Sequence, residues 1–212
     1  MVVIPVVNVQ DAEEAHKRVK TAAEFSDLIH LDISDGVFTP HISWGSPEEL
    51  ESVMRQVSGV KIEIHLMVSN PEAVIDAWLR TGLVKRAIIH LEAMTDSVYL
   101  LEKCQKYGVE AMLAINPGTE AERLLAHASD FQYFQLLAVP PGPAGQEIAP
   151  GIIDKIKFIR RNIPNAIIEI DGGIVPATAK LVKEAGADIV VSGSYIFGGE
   201  NPRRAYEELL SS

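Results

Sequence analysis

Four residues that can bind a metal ion end strand-like apolar runs in this chain: His30, Asp32, His65 and Asp171. A period of two in residues 28–33 places His30 and Asp32 on one face of a predicted strand, and the other two residues end runs that are distant in sequence. Two imidazoles and two carboxylates suit Zn²⁺ in tetrahedral geometry, and Fe²⁺, Mn²⁺ and Co²⁺ are open alternatives. The sequence therefore predicts an enzyme site that binds one divalent metal ion.

Each of these residues, taken alone, has a simpler use. A histidine in a strand is more often a hydrogen-bonded core residue than a ligand, and an aspartate at a strand end often caps a helix. Four of them at predicted strand ends favour the metal site. His90 and Glu92 stand in the same i, i+2 relation, which indicates either residues that orient the ligands or a core histidine beside a cap. His16 and His127 lie on predicted helices and are expected at the surface.

Glycine-rich segments at two later strand ends are typical of a phosphate site. Residues 171–174 read Asp-Gly-Gly-Ile, and residues 192–194 read Ser-Gly-Ser. Glycine lets backbone N–H groups approach an anion closely, although ordinary turns use the same residues. Both segments follow consecutive predicted strands, which favours a small phosphate ester as substrate. The predicted phosphate-binding residues are Gly172, Gly173, Gly193 and Ser194.

Apolar runs alternate with stretches of helical period along the whole chain, and these elements must position the candidate residues. The predicted strands cover residues 2–8, 27–33, 61–68, 86–91, 109–115, 132–139, 166–170 and 187–192. Capping signals precede several predicted helices, at Asp11, Ser46, Asn70 and Asn201. Eight strand–helix units without a linker predict an α/β fold, a single (β/α)8 TIM barrel that forms one domain over residues 1–212.

The two longest connections follow the second and sixth predicted strands, over residues 34–45 and 140–150. Both lie at the carboxyl face, where barrel enzymes hold their active sites, and both mix apolar residues with turn formers. This composition indicates loops that cover a bound substrate, and ordinary packed loops are the alternative.

Charge and composition exclude several other classes. A formal net charge of −10 disfavours binding to nucleic acid or to anionic membranes. The chain start lacks a signal-peptide pattern and no apolar run approaches the roughly 20 residues that cross a bilayer, so a cytoplasmic location is expected. Cys104, the only cysteine, is expected to be a buried or partly exposed thiol without a nucleophilic role. No lysine ends a predicted strand at the carboxyl face, which argues against Schiff-base chemistry.

The chain resembles the ribulose-phosphate 3-epimerase family over nearly its whole length, through motifs that occur in the family's order. These motifs are HLDISDG at 30–36, HLMV at 65–68 with NPE at 70–72, HLEA at 90–93, NPGT at 116–119, VPPGPAGQ at 139–146, DGGI at 171–174 and SGSYIF at 192–197. The resemblance implies a ribulose-phosphate-binding barrel that holds one divalent metal ion, with Zn²⁺ the first candidate, through His30, Asp32, His65 and Asp171. It also implies inversion of carbon 3 of a ketose phosphate, from D-ribulose 5-phosphate to D-xylulose 5-phosphate in the pentose phosphate pathway.

The chemistry of such an inversion fits two of these residues. A carbon next to a carbonyl is inverted when its proton leaves from one face and a proton returns to the other, through an enediolate. Asp32 and Asp171 are the two expected acid–base groups, and the metal ion would neutralise the charge that develops. In the loop after the sixth strand, the resemblance implies further substrate or phosphate contacts at Gly142, Gly145 and Gln146.

The chain departs from the family pattern around this site. Val6 stands where a serine is usual, and Ser34 and Leu137 stand where methionines are usual. Together with Met67, Ser34 and Leu137 are expected to line the substrate pocket.

The loop after the sixth strand departs from the family as well. Pro140, Pro143 and Ala144 replace, in that order, a polar residue, an aromatic residue and a glycine, which predicts a stiffer loop. All these differences keep two alternatives open, namely a 3-epimerase of a ketohexose 6-phosphate such as allulose 6-phosphate and a sugar-phosphate-binding barrel with weak catalysis. Self-association into a homo-oligomer is open too.

Overall fold

The strands form a closed parallel barrel in which they follow one another in chain order. The computed structural model describes residues 1–141 and 148–212. The predicted α/β barrel is therefore confirmed. The strands are β1 (Val2–Val7), β2 (Leu28–Ser34), β3 (Lys61–Met67), β4 (Val84–His90), β5 (Glu110–Ile115), β6 (Tyr133–Leu137), β7 (Ile167–Asp171) and β8 (Ile189–Ser192).

Helices follow these strands, with one difference in type from the sequence pattern. The α-helices are α1 (Ala12–Ala22), α2 (Pro47–Met54), α3 (Pro71–Arg80), α4 (Ser97–Tyr107), α5 (Ile152–Asn162), α6 (Pro176–Ala185), α7 (Ser194–Phe197) and α8 (Pro202–Leu210). After β5 the chain forms a 3-10 helix instead, over Ala121–His127. The preceding residue, Glu120, makes no side-chain capping hydrogen bond, and 3-10 geometry is common in short connecting pieces.

The predicted capping residues begin four of the helices. Asp11 accepts a hydrogen bond from the backbone N–H of Glu14, and Ser46 and Asn70 cap α2 and α3 in the same way. Asn201 does so for α8. These side chains satisfy N–H groups that have no partner inside the helix, so they fix where each helix begins after its strand.

Two compact units make up the described part of the chain. One unit is Pro5–Ala111 and contains β2, β3 and β4 with the helices that follow them. The other is Met1–Ile4 together with Met112–Ser212, and it contains β6, β7 and β8. The single domain expected from the sequence stays a prediction. Among the described residues, every helix is too short or too polar to cross a membrane.

Within the first unit, β2 and β3 are buried over almost their whole length. Strands of a parallel barrel are covered on both faces, which explains their nearly continuous apolar sequence. Their register pairs His30 with Glu63 and Asp32 with His65. Neighbouring strands therefore bring three of the predicted ligands to one place.

Candidate active site

Three predicted ligands converge on β2 and β3, where His30 lies near mid-strand and Asp32 and His65 lie nearer the carboxyl ends. Asp32 Oδ1 lies 3.1 Å from His30 Nε2 and 3.0 Å from His65 Nδ1. The two imidazole nitrogens are 3.3 Å apart. The three side chains are almost completely buried, with 0% exposure for each histidine and 4% for the aspartate. One oxygen and two nitrogens thus face a common point.

The spacing of these donor atoms fits a divalent metal ion. Metal–ligand bonds of about 2.0–2.1 Å give ligand–ligand distances of about 3.3 Å in a tetrahedron and about 2.9 Å in an octahedron. The three measured separations, from 3.0 to 3.3 Å, lie in this interval. The donor types also fit, because imidazole and carboxylate suit Zn²⁺, Fe²⁺, Mn²⁺ and Co²⁺.

The outer nitrogen of His30 is held by a buried carboxylate. His30 Nδ1 lies 2.8 Å from Glu63 Oε1, and Glu63 has no exposed surface. An ionised carboxylate can only accept, so the hydrogen bond places the ring proton on Nδ1. With Nδ1 held in this way, Nε2 is the atom that faces Asp32, and it can bind a metal ion once it is deprotonated.

The outer nitrogen of His65 is held by a second histidine. His65 Nε2 lies 2.8 Å from His90 Nε2, and His90 Nδ1 lies 3.2 Å from Glu92 Oε2. Because Glu92 accepts from His90 Nδ1, His90 Nε2 must accept from His65 Nε2. The other ring nitrogen of His65, Nδ1, faces Asp32 and is the atom that would bind a metal ion. His90 and Glu92 therefore make the contacts of residues that orient a ligand, the first of the two interpretations given to them.

Charge also organises the cluster. Burial opposes ionisation of Asp32, but hydrogen bonds from His30 and His65 outweigh it and hold the pKa of the carboxyl below its usual range. Burial alone would lower the pKa of His30, yet its hydrogen bonds to Asp32 and Glu63 raise that pKa well above the ordinary value. The cluster thus favours an anionic Asp32, and a metal ion would displace the proton that His30 retains.

The fourth predicted ligand, Asp171, is the last residue of β7. It is half-buried, and its backbone carbonyl oxygen accepts a hydrogen bond from Ala138 N at 2.7 Å. Its register partner on β6 is Leu137, one of the predicted pocket residues. The other two pocket residues, Ser34 and Met67, are register partners at the ends of β2 and β3.

The two glycine-rich segments lie together in the second unit, where the hydroxyl of Ser192 donates to the carbonyl oxygen of Ile174 at 3.0 Å. Gly172 and Gly173 have positive φ angles of 104° and 66°. A Cβ on Gly172 would clash with Val139 Cγ2, so the turn after β7 needs a glycine there. Phosphate binding by this backbone stays a prediction.

Part of the predicted loop site falls outside the described residues. This concerns Gly142, Pro143, Ala144, Gly145 and Gln146, all in the connection after β6.

The connection after β2 is described and is held by several hydrogen bonds. Asp35 accepts hydrogen bonds from the backbone N–H groups of Val37 and Phe38 and from Ser69. The Phe38 ring lies 4.6 Å from the His90 ring, so this loop packs directly on the histidine cluster.

The sequence interpretation missed Glu63 and its partner Arg86, which donates a hydrogen bond to Glu63 Oε2 through Nη1. A signal was present, because Glu63 precedes His65 by two residues within an apolar run and must share its strand face.

Cys104 is buried, as expected, and burial raises the pKa of its thiol to about 12. The predicted surface histidines are partly exposed, with the His16 ring against Trp44 and the His127 ring against Phe131.

The fold and this cluster define a barrel enzyme with a histidine–carboxylate centre at its strand ends. Residues 2–197 match the family model described as "Ribulose-phosphate 3 epimerase family". The chain belongs to this family, and it is an epimerase of the isomerase class that acts on carbohydrates.

Curated relatives agree with the family match. The chain is 38% identical over 182 residues to the ribulose-phosphate 3-epimerase of Chlamydia pneumoniae, an alignment that covers 83% of this chain and 78% of the relative. It is 32% identical over 192 residues to that of Bacillus subtilis, covering 88% and 87%. It is 30% identical over 205 residues to the cytoplasmic isoform of Oryza sativa, covering 95% and 87%.

Solved structures support the fold alone. A 3-hexulose-6-phosphate synthase from Salmonella typhimurium superposes with a TM-score of 0.75 at 11% identity, over 100% of this chain and 97% of the other. Orotidine 5'-phosphate decarboxylase from Pyrococcus horikoshii superposes with a TM-score of 0.69 at 16% identity, over 98% of this chain and 97% of the other.

Proposed function

We propose that this protein is a metal-dependent 3-epimerase that interconverts D-ribulose 5-phosphate and D-xylulose 5-phosphate. The observation that carries the proposal is the convergence of His30, Asp32 and His65 on one point at strand ends. The names of the curated relatives support the choice of a pentose phosphate. The location of one relative, named as a cytoplasmic isoform, supports a cytoplasmic location. Whether the chain forms a homo-oligomer stays open.

Asp171 is proposed as the fourth metal ligand. His30, Asp32, His65 and Asp171 form the ligand set that the family resemblance implies. This set contains two neutral nitrogen donors and two anionic oxygens, which together balance the charge of a divalent cation. When bound, the ion would supply Lewis-acid stabilisation of the negative charge that develops on the substrate oxygens next to carbon 3.

The two aspartates are proposed to move the proton. The carboxylate of one removes the proton from carbon 3, and the carboxylic acid of the other delivers a proton to the opposite face of the same carbon. The reverse reaction exchanges the two roles. Burial of Asp32 keeps water away from this carboxylate, so the proton passes directly between side chain and substrate. Neither imidazole is required as an acid or base, because both are oriented as ligands.

The phosphate group is proposed to bind the backbone of Gly172, Gly173, Gly193 and Ser194. Glycine is needed at position 172 because the backbone there runs close to the side chain of Val139. Glycine would equally let the backbone N–H groups of this turn approach a phosphate. Gly142, Gly145 and Gln146 are proposed to complete the substrate contacts from the loop after β6.

A second candidate substrate is a ketohexose 6-phosphate such as allulose 6-phosphate. The hydroxyl of Ser34 is buried and makes no hydrogen bond within the described part of the chain. It lies on the same strand face as Asp32, where a small polar side chain leaves room and a donor for an additional substrate hydroxyl.

Deuterium exchange tests both substrates. Protein loaded with Zn²⁺, Fe²⁺, Mn²⁺ or Co²⁺ would be incubated in D₂O with each sugar phosphate, and deuterium at carbon 3 followed by NMR. We expect exchange of ribulose 5-phosphate that stops after chelation and returns with the metal ion. Exchange confined to allulose 6-phosphate would favour the second candidate. Failure of both substrates to exchange would contradict catalysis and leave a sugar-phosphate-binding barrel.

A further inference from the structure

We propose that Arg86 is a positioning residue for the metal site, which acts on His30 through the carboxylate of Glu63. The inference rests on the proposed role of His30 as a metal ligand. It assigns a function to a buried ion pair that takes no part in the proton transfer described above.

An unbroken chain of contacts leads from Arg86 to the donor cluster. Arg86 Nη1 donates a hydrogen bond to Glu63 Oε2, and the other oxygen of this carboxylate, Oε1, lies 2.8 Å from His30 Nδ1. The side chains of Glu63 and Arg86 are 0% and 5% exposed. Each carboxylate oxygen of Glu63 therefore has its own partner, and water has almost no access to compete for either.

The guanidinium of Arg86 is itself held from the other side. Its Nε and Nη2 atoms lie 3.0 Å and 2.8 Å from Oε2 of Glu110, whose side chain is 35% exposed. A planar guanidinium can contact two carboxylates with fixed directions, whereas a lysine ammonium is a point charge on a flexible stem. Glu110 thus anchors Arg86 near the surface, and Arg86 aims Glu63 at His30.

Burying the Glu63–Arg86 ion pair costs desolvation free energy that apolar side chains in the same place would not. A buried ion pair is weak evidence for stability, because desolvation cancels much of the attraction, and apolar residues would fill the same volume. At this position, however, Glu63 fixes the ring orientation of His30. That orientation brings Nε2 to 3.1 Å from Asp32 Oδ1 and 3.3 Å from His65 Nδ1. Carboxylates that hold a ligand histidine typically contribute about 10- to 100-fold to metal affinity.

Cobalt titration provides the test, because it reports metal affinity and coordination separately from activity. Metal-stripped full-length protein would be titrated with Co²⁺ and the visible absorption recorded. We expect Arg86→Gln to weaken Co²⁺ binding about 10- to 100-fold and to alter the absorption bands. Arg86→Lys should recover part of the loss, since it keeps the charge without the planar contacts. Glu110→Gln should weaken binding by only about two- to fivefold, because Arg86 retains its contact with Glu63.

Arg160→Gln is the matched control. Arg160 on α5 pairs with Asp188 at 2.6 Å and donates to the backbone of Gly186, and its contacts lie among the residues of the second unit. We expect this variant to lower the melting temperature and to bind Co²⁺ with the affinity of the wild type.

Each outcome decides the proposal. Wild-type Co²⁺ affinity in a folded Arg86→Gln protein would overturn it, as would an equal loss in Arg160→Gln. If Arg86→Gln does not fold, the decision passes to Arg86→Lys and Glu110→Gln, and wild-type affinity in both would overturn it. Failure of the proposed function gives a different result, namely wild-type protein that binds Co²⁺ but exchanges no deuterium at carbon 3.

Discussion

At the carboxyl ends of β2 and β3 the candidate functional groups are side chains, whereas at the carboxyl ends of β7 and β8 they are largely backbone. The first region holds His30, Asp32 and His65, each buried and fixed by hydrogen bonds. The second has glycines at positive φ and a small hydroxyl residue. A metal ion needs directed donor atoms of defined type, while a phosphate needs several N–H groups at close approach.

The two regions should therefore tolerate different substitutions. In the first region a substitution can leave the backbone in place, so we expect it to lower the rate of the reaction rather than the stability of the fold. In the second region a Cβ on Gly172 would conflict with Val139, so we expect this substitution to weaken substrate binding and stability together. Four substitutions test this division.

Asp32→Asn should cause the largest loss of activity. The amide keeps the shape of the side chain but removes a charged ligand and a proton-transfer group together, so we expect deuterium exchange at carbon 3 to fall by about 10³-fold or more. Bound metal, measured by elemental analysis, should fall as well. Asp130→Asn, an exposed aspartate, serves as the control and should keep wild-type exchange. Exchange within tenfold of wild type in Asp32→Asn would remove this residue from the mechanism.

Gly172→Ala should impair substrate binding and stability. Its φ of +104° is unfavourable for alanine, and the new Cβ would clash with Val139 Cγ2. We expect about 2 kcal/mol of destabilisation, and a KM that rises about tenfold with a smaller change in kcat. Gly82→Ala separates the two causes, because Gly82 has a φ of +67° with open space around the position of a Cβ. Equal effects on KM in both variants would contradict a local role for the turn after β7.

Asp35→Asn should destabilise the loop after β2 in a pH-dependent way. Burial would raise the pKa of Asp35, but hydrogen bonds from Ser69, Phe38 and Val37 outweigh it and hold the pKa at about 2. A carboxyl whose pKa is lower in the folded state stabilises the fold above its ordinary pKa of about 3.9 and loses that contribution as pH falls toward 2. Because the group is only half-buried, we expect about 1 kcal/mol at neutral pH. Urea unfolding of both proteins between pH 7 and pH 2 should show the difference shrinking below pH 4.

Ser34→Met should have the smallest effect, confined to substrate preference. Methionine fills the space beside Met67 and removes the buried hydroxyl, so we expect the ratio of kcat/KM for ribulose 5-phosphate over allulose 6-phosphate to rise by less than tenfold. Leu137→Met, at the end of β6, is a volume-conserving comparison and should change the ratio less. A fall in the ratio for Ser34→Met would oppose a role of the hydroxyl in recognising the longer sugar.

Much of this fold was predictable because each unit of the barrel repeats the same pattern, an apolar strand followed by a helix. Apolar runs gave the eight strands within a few residues, and capping side chains at Asp11, Ser46, Asn70 and Asn201 marked helix starts. The period of two placed His30 and Asp32 on one face. The 3-10 helix after β5 was not distinguishable, because its amphipathic pattern resembles that of a short α-helix.

The supporting contacts were harder to predict, since they depend on register between strands. Glu63 faces His30 only because β2 and β3 pair His30 with Glu63, and no local pattern fixes that pairing. Arg86 lies at the start of β4 in a run that reads like a solvent-facing strand end. Its contacts with Glu63 on β3 and Glu110 on β5 depend on how neighbouring strands pair, which a single strand does not reveal.

The buried position of Cys104 has a practical consequence for how the enzyme responds to oxidants. With its pKa raised to about 12 and its side chain inside the fold, this thiol is a poor target for peroxide or alkylating reagents. Inactivation by peroxide or by an alkylating reagent would therefore have to arise at a group other than Cys104, which makes thiol labelling of the folded protein a simple check that its core is intact.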